Sequence, residues 1–183
     1  MSRILWLLIE TVGGLLAVAC LLRAWSFRQQ LSPRHPLSLF VIAMTDWLVL
    51  PLRRLFGPSR TNDWAAFMAA LGVSVLLALL HPLLVSGRFP DLGETILRSA
   101  FWLLRSGLYL AMGLVVVQAI LSWVNPRAPL APAVRHLTEP LLAPIRRFIP
   151  PLGGVDLSSL VLFLGLQILL MLTEPALLLG LLR

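Results

Sequence analysis

The stretch Thr138-Glu139-Pro140-Leu141-Leu142-Ala143-Pro144-Ile145-Arg146-Arg147-Phe148 aligns without a gap on Thr45-Asp46-Trp47-Leu48-Val49-Leu50-Pro51-Leu52-Arg53-Arg54-Leu55, 93 positions upstream. The same offset carries Pro36 onto Pro129 and Asp63 onto Asp156, while Trp25 pairs with Trp123 at an offset of 98. Self-similarity of this kind predicts a duplicated structural unit. The chain accordingly divides into residues 1–90 and residues 91–183, each reading as helix, amphipathic segment, helix.

Each copy of the motif lies on an apolar stripe. In the second, Leu130, Val134, Leu137, Leu141, Ile145 and Phe148 recur at spacings of three and four, the period of one helical face. Arg135, His136, Glu139, Arg146 and Arg147 project from the other side. The first copy repeats the stripe with Leu37, Val41, Met44, Leu48, Leu52 and Leu55, and sets Asp46, Arg53 and Arg54 opposite it. Two amphipathic segments, 36–56 and 129–149, are therefore expected to lie in the plane of a membrane surface, apolar side down. Pro140 and Pro144 each remove a backbone donor, which predicts a bent pair of short helices in the second copy.

Around these segments the chain is apolar enough for a membrane. Of its 183 residues 58% are hydrophobic and 13% charged, with mean hydropathy +0.90, too little polar surface for a soluble fold of this size. Four runs have the roughly 20 residues that cross a hydrocarbon core of ~30 Å: Ile4–Leu22, Trp64–Leu84, Ser106–Val124 and Leu157–Leu182. The expected fold is all-α and integral to the membrane, with four transmembrane helices as two tandem repeats. Gly13, Gly14 and Gly72 offer positions for close helix packing.

Four spans place both termini on one side. All 15 basic residues are arginine, and ten of them fall in the connectors after the first and third spans. The positive-inside rule then puts those connectors in the cytoplasm and both termini outside, in a cell inner membrane. The two halves share one orientation and are parallel repeats rather than inverted ones. A GC-rich genome produces an arginine bias without selection. Guanidinium groups also bind phosphate bidentately, which suits anionic lipid headgroups. No direct nucleic-acid contact is expected, because the basic segments lack stacking aromatics and match no groove-reading motif.

The candidate partner- or lipid-binding residues are Arg53, Arg54, Arg135, Thr138, Glu139, Arg146 and Arg147. Asp63 and Asp156 stand just before spanning helices, where a carboxylate caps the first turn or pairs with the neighbouring arginines. Glu10 and Glu174 lie within spans and are the candidates for transport. His81 has a haem-ligand chemistry but no paired histidine in a comparable span. The lone cysteine, Cys20, follows Ala17-Val18-Ala19 in weak resemblance to a lipoprotein cleavage box, but the apolar run continues past it, so a retained first helix with an inert thiol is expected. No nucleophile–base pair, phosphate-cradling glycine loop or metal-ligand cluster is present, so no catalytic residue, metal or cofactor is expected.

Leu22-Arg23-Ala24-Trp25, Leu121-Ser122-Trp123 and the second motif, continued by Ile149-Pro150 and Gly153-Gly154-Val155-Asp156, resemble the YggT (YlmG) family of bacterial and plastid membrane proteins. The likeness spans nearly the whole chain. The first copy departs from the pattern, with Trp47 for the motif proline, and Phe56-Gly57 and Arg60-Thr61 for the Ile-Pro and Gly-Gly after the arginines. The resemblance implies settings rather than an activity: osmotic and ion stress, cell division and envelope organisation, and in plastids nucleoid distribution and membrane-protein maturation. The expected function is a non-enzymatic scaffold or assembly factor that holds a membrane or cytoplasmic protein partner, or anionic lipid, through its arginine-rich helices. The alternative is a small channel or ion transporter, which requires a homo-oligomer to line a pore.

Overall fold

A computed structural model describes residues 2–57, 62–147 and 157–181, and the side chains of residues 4–55, 62–147 and 157–173. It contains six helices: α1 (Ser2–Arg28), α2 (Pro36–Phe56), α3 (Trp64–Ser86), α4 (Leu92–Val124), α5 (Ala131–Arg146) and α6 (Leu157–Leu181). No strand occurs among the described residues. Local chemistry sets the ends. Pro36 opens α2, whose first turn is capped by His35 Nδ1 accepting from the Leu37 amide at 3.2 Å. Asp91 Oδ1 caps α4 through the Glu94 amide at 2.6 Å. Gly87, at φ 65°, closes α3 in a left-handed turn that a side chain would strain.

Among the described residues, four helices are long and apolar enough to cross a membrane: Ile4–Arg28, Pro36–Leu55, Trp64–Ser86 and Leu92–Val124. α6, Leu157–Leu181, occupies the run expected as the fourth span, and its described side chains form the apolar stretch Leu157–Thr173. α2, expected as an amphipathic segment, also qualifies by length and composition. Two spans are longer than expected. α4 begins at Leu92 rather than Ser106, because Glu94 and Arg98 pair one turn apart and neutralise the helix start. α1 continues past Leu22 to Arg28, because Arg23 is neutralised by carboxylates from α2 and α3.

α1 packs most extensively on α3, α3 on α4 and α4 on α6, while α2 lies against α1 and α3, and α5 against α4 and α6. The inner face of α3 is made of small side chains, Ala65, Ala66, Ala69, Ala70, Ser74 and Ala78, all buried. Small residues let backbones approach where lipid removes the hydrophobic drive between helices. Cys20 and Val49 are sealed against this face, so the thiol is an inert core group. Of the glycines expected to pack closely, Gly13 does: a Cβ there would sit 2.9 Å from Leu77 Cδ2. Gly14 and Gly72 have open space around them. Apolar side chains such as Ile4, Leu7, Val12 and Leu15 face outward, the surface a bilayer solvates.

Both motif helices differ from expectation in detail. α5 is one continuous helix with Pro140 and Pro144 inside it, not two bent pieces. Each proline deletes one hydrogen bond, and the buried face through Ala133, Val134, Leu137, Thr138 and Leu142 holds the neighbouring turns together. In α2 the buried face passes through Ser38, Val41, Thr45 and Val49, whereas Met44 and Leu55 of the predicted stripe are exposed. Rotation of the helix by part of a turn brings Thr45 inward, where an arginine needs its hydroxyl.

Candidate functional site

Arg23 is the centre of a buried polar cluster where α1, α2 and α3 meet. Its side chain is 6% exposed. Nη1 donates to Asp46 Oδ1 at 2.8 Å and to Thr45 Oγ1 at 2.9 Å, and Nε donates to Asp63 Oδ2 at 3.3 Å. Arg53 Nη2 reaches the same Asp63 oxygen at 2.7 Å, while Asp63 Oδ1 accepts from the Ala66 amide at 3.3 Å. Asp63 thus caps α3 and pairs with arginine at once. Two guanidinium and two carboxylate groups balance, which is what permits burial of charge in this setting.

The second half carries a related cluster in a more open form. Thr138, fully buried, back-bonds to the Val134 carbonyl at 2.9 Å, as Thr45 does to Val41 at 2.7 Å. Its hydroxyl also meets the Gln118 side chain from α4. Arg146 Nη1 pairs with Glu139 Oε2 at 2.7 Å. Arg135, Glu139 and Arg147 are exposed. Gln118, Ser122, Arg135 and Arg146 line a cavity of about 250 Å³ between α4 and α5. Such a set of guanidinium, amide and hydroxyl donors suits an anion. Two bonds tie α5 to the end of α1: the Trp25 indole donates to the Leu137 carbonyl at 3.0 Å, and His136 Nε2 meets the Gln29 carbonyl at 2.7 Å.

A third cluster lies at the opposite ends of the spans. Glu94 receives a fork from Arg88, both bonds at 2.9 Å, and accepts from Arg98 Nη2 at 2.7 Å. Arg98 Nη1 lies 2.9 Å from His81 Nδ1. An arginine can only donate, so Nδ1 is the acceptor and the imidazole proton sits on Nε2. The His81 ring stands edge-on to Trp6, centroids 4.8 Å apart. His81 is therefore committed to Arg98 and Trp6. No group of three or more histidine, cysteine, aspartate or glutamate side chains among the described residues is placed to hold a metal.

The remaining sequence candidates are scattered. Arg54 is exposed on α2. Glu10 lines a groove between α1 and α4 with Thr11, Arg105 and Tyr109. Asp156 lies outside the described residues, as does the side chain of Glu174. Sequence reasoning missed the two most buried arginines. Arg23 entered the arginine count and the family resemblance and Arg98 the arginine count, neither with a partner, although a charge inside an apolar run demands one and the Glu94–Arg98 spacing of four was visible.

The CCB3/YggT family model matches the chain over residues 2–84 and 97–177. An uncharacterized protein in the proC 3' region of Vibrio alginolyticus is 35% identical over 162 residues, covering 87% of this chain and 88% of the relative. Uncharacterized protein YggT of Escherichia coli K12 is 31% identical over 170 residues, covering 88% and 85%. Uncharacterized protein PA0392 of Pseudomonas aeruginosa is 32% identical over 171 residues, covering 90% and 85%. No solved structure matches the chain. With a family match over most of its length and relatives above 30% identity, on a bundle of apolar helices joined by buried arginine clusters, the chain belongs to the CCB3/YggT family.

Proposed function

We propose that the protein is a non-enzymatic scaffold or assembly factor of the inner membrane, built as two parallel repeats and acting through the arginine face of α5. The observation that carries this reading is the division of α5 into a sealed face and an open one. Val134, Leu137, Thr138 and Leu142 are buried, while Arg135, His136, Glu139 and Arg147 are exposed, and Arg135 with Arg146 lines the cavity against α4. In the first half Arg53 is held by buried Asp63, and Arg54 is exposed on α2. The second half adds a cavity lined by Arg135 and Arg146, whose chemistry suits carboxylates of an acidic partner segment or phosphates of lipid headgroups.

Repeat architecture is supported by matched burial at an offset of 93, Val41 with Val134, Thr45 with Thr138 and Val49 with Leu142, and by the two segments of the family match. In-plane orientation of α5 is supported by its short length and mixed faces. Replacing Arg146 and Arg147 together with glutamine is expected to leave insertion unchanged and to cut photocrosslinking of the partner from position 132 about tenfold, the size of one lost charge-assisted bond. Wild-type crosslinking by the inserted double variant would remove α5 as the recruiting surface.

The arginine count puts the α5 side in the cytoplasm and both termini outside. A C-terminal alkaline phosphatase fusion is expected to be active and a green fluorescent fusion at the same point dark. The reverse pair of results would invert the topology and move the α5 face to the exterior.

A further inference from the structure

A second site, separate from the α5 face, lies in the seam between the two halves. α1 and α3 of the first half leave a slot of about 450 Å³ against α4 and α5 of the second. Its walls are apolar: Phe67, Gly107, Leu110, Ala111, Leu114 and Leu141. One end is not. Trp25 and Arg28 come from the last turn of α1, and Asn62, Asp63 and Trp64 from the start of α3, so the polar groups gather where the helices leave the hydrocarbon.

Among the described residues that line that end, one cation is left over. Asp63 is neutralised by Arg23 and Arg53. Arg28 is exposed and makes no ion pair among the described residues. The indoles mark headgroup depth, since tryptophan prefers the membrane–water boundary. Trp25 is held there by its bond to the Leu137 carbonyl, and Trp64 by edge-on contact with Phe67 at 6.1 Å. An apolar slot inside the membrane with a tryptophan-flanked cationic mouth is complementary to one kind of molecule. The volume is within the roughly 300–1,000 Å³ of small-molecule sites.

We infer that the seam slot binds one acyl chain of an anionic phospholipid, with the lipid phosphate on Arg28. The chain fills the space beside Gly107, and the guanidinium selects the headgroup by charge. This site uses none of the residues on which recruitment by α5 depends, so either idea can fail alone.

Gly107 provides the test, because a Cβ built there meets nothing within 4 Å. Leucine at that position fills the slot, and it forms helix more readily than glycine. Gly113, on the same helix with equally open surroundings and outside the slot, is the control. The full-length protein in detergent is titrated with dioleoyl phosphatidylglycerol or dioleoyl phosphatidylcholine, and bound lipid is counted by native mass spectrometry. Wild type is expected to retain one phosphatidylglycerol per chain in preference to phosphatidylcholine by about tenfold, the scale of one charge-assisted contact. Gly107→Leu should lose both lipids, Gly113→Leu neither, and Arg28→Gln only the preference. Retention of phosphatidylglycerol by folded Gly107→Leu, or equal loss in Gly113→Leu, would overturn the site. Equal retention of the two lipids by wild type, or displacement of the lipid by soluble glycerophosphate, would overturn the lipid assignment.

Discussion

Replacement of Arg23 by methionine is expected to destabilise the protein by about 3 kcal/mol, read as a fall in the midpoint of thermal unfolding in detergent. The guanidinium is buried and joins three helices, contacting Thr45, Asp46 and Asp63. Methionine keeps the aliphatic stem but supplies no donor, so Asp63 keeps Arg53 as its one described cationic partner and the Thr45 and Asp46 oxygens lose a partner. Breaking a buried ion pair from one side costs about 3–5 kcal/mol, whereas removing both sides is far milder. The double variant Arg23→Met with Asp63→Ala should therefore recover part of the loss. Arg54→Ala, on the exposed side of α2, should shift stability by no more than about 0.5 kcal/mol. Equal stability of Arg23→Met and Arg54→Ala would show that the cluster does not hold the first three helices together.

At the other end of the bundle, Arg98→Met should cost about 2 kcal/mol, the range for hydrogen bonds to charged groups. Arg98 is 7% exposed and bridges Glu94 to His81 Nδ1. Without it His81 has no fixed donor, and Glu94 keeps only Arg88, whose side chain is 53% exposed. The consequence should be visible locally as well as globally. His81 packs on Trp6, which packs in turn on Trp102 at 6.2 Å, so tryptophan emission should shift in Arg98→Met before any unfolding. Arg88→Ala removes an exposed fork and should change stability by less than about 1 kcal/mol with unchanged emission. If the two variants behave alike, the Arg98–His81 contact has no structural weight.

Much of this architecture was readable in the chain because it rests on local physics. The length of an apolar run and the return of apolar residues every three to four positions act within one helix, and they placed the segments that became α1, α2, α3, α5 and α6. The helix start after Asp63 was legible because a carboxylate there can cap a first turn, and the amphipathic segment was bounded at Pro36. Where a neighbouring helix intervened, the local rule failed. The apolar run alone bounded the third span at Ser106, yet α4 runs 33 residues from Leu92 and carries Arg98 and Arg105 within it. Pro140 and Pro144 seemed to divide α5, yet its buried face keeps it whole.

The arginines show the division most plainly. Sequence alone determined that the chain is apolar, helical, internally similar and rich in arginine at the ends of its helices. It ranked Arg53 with Arg146 because the two occupy the same place in the repeated motif. Only the tertiary structure decided that Arg53 shares a buried carboxylate with Arg23, that Arg146 pairs with Glu139 beside a cavity, and that Arg98 is joined to a histidine 17 residues away. The reason is the cost of burying charge: an arginine inside a bundle is tolerated only with a partner, and Arg23 and Asp63, 40 residues apart in the chain, become partners only when α1 packs on α3.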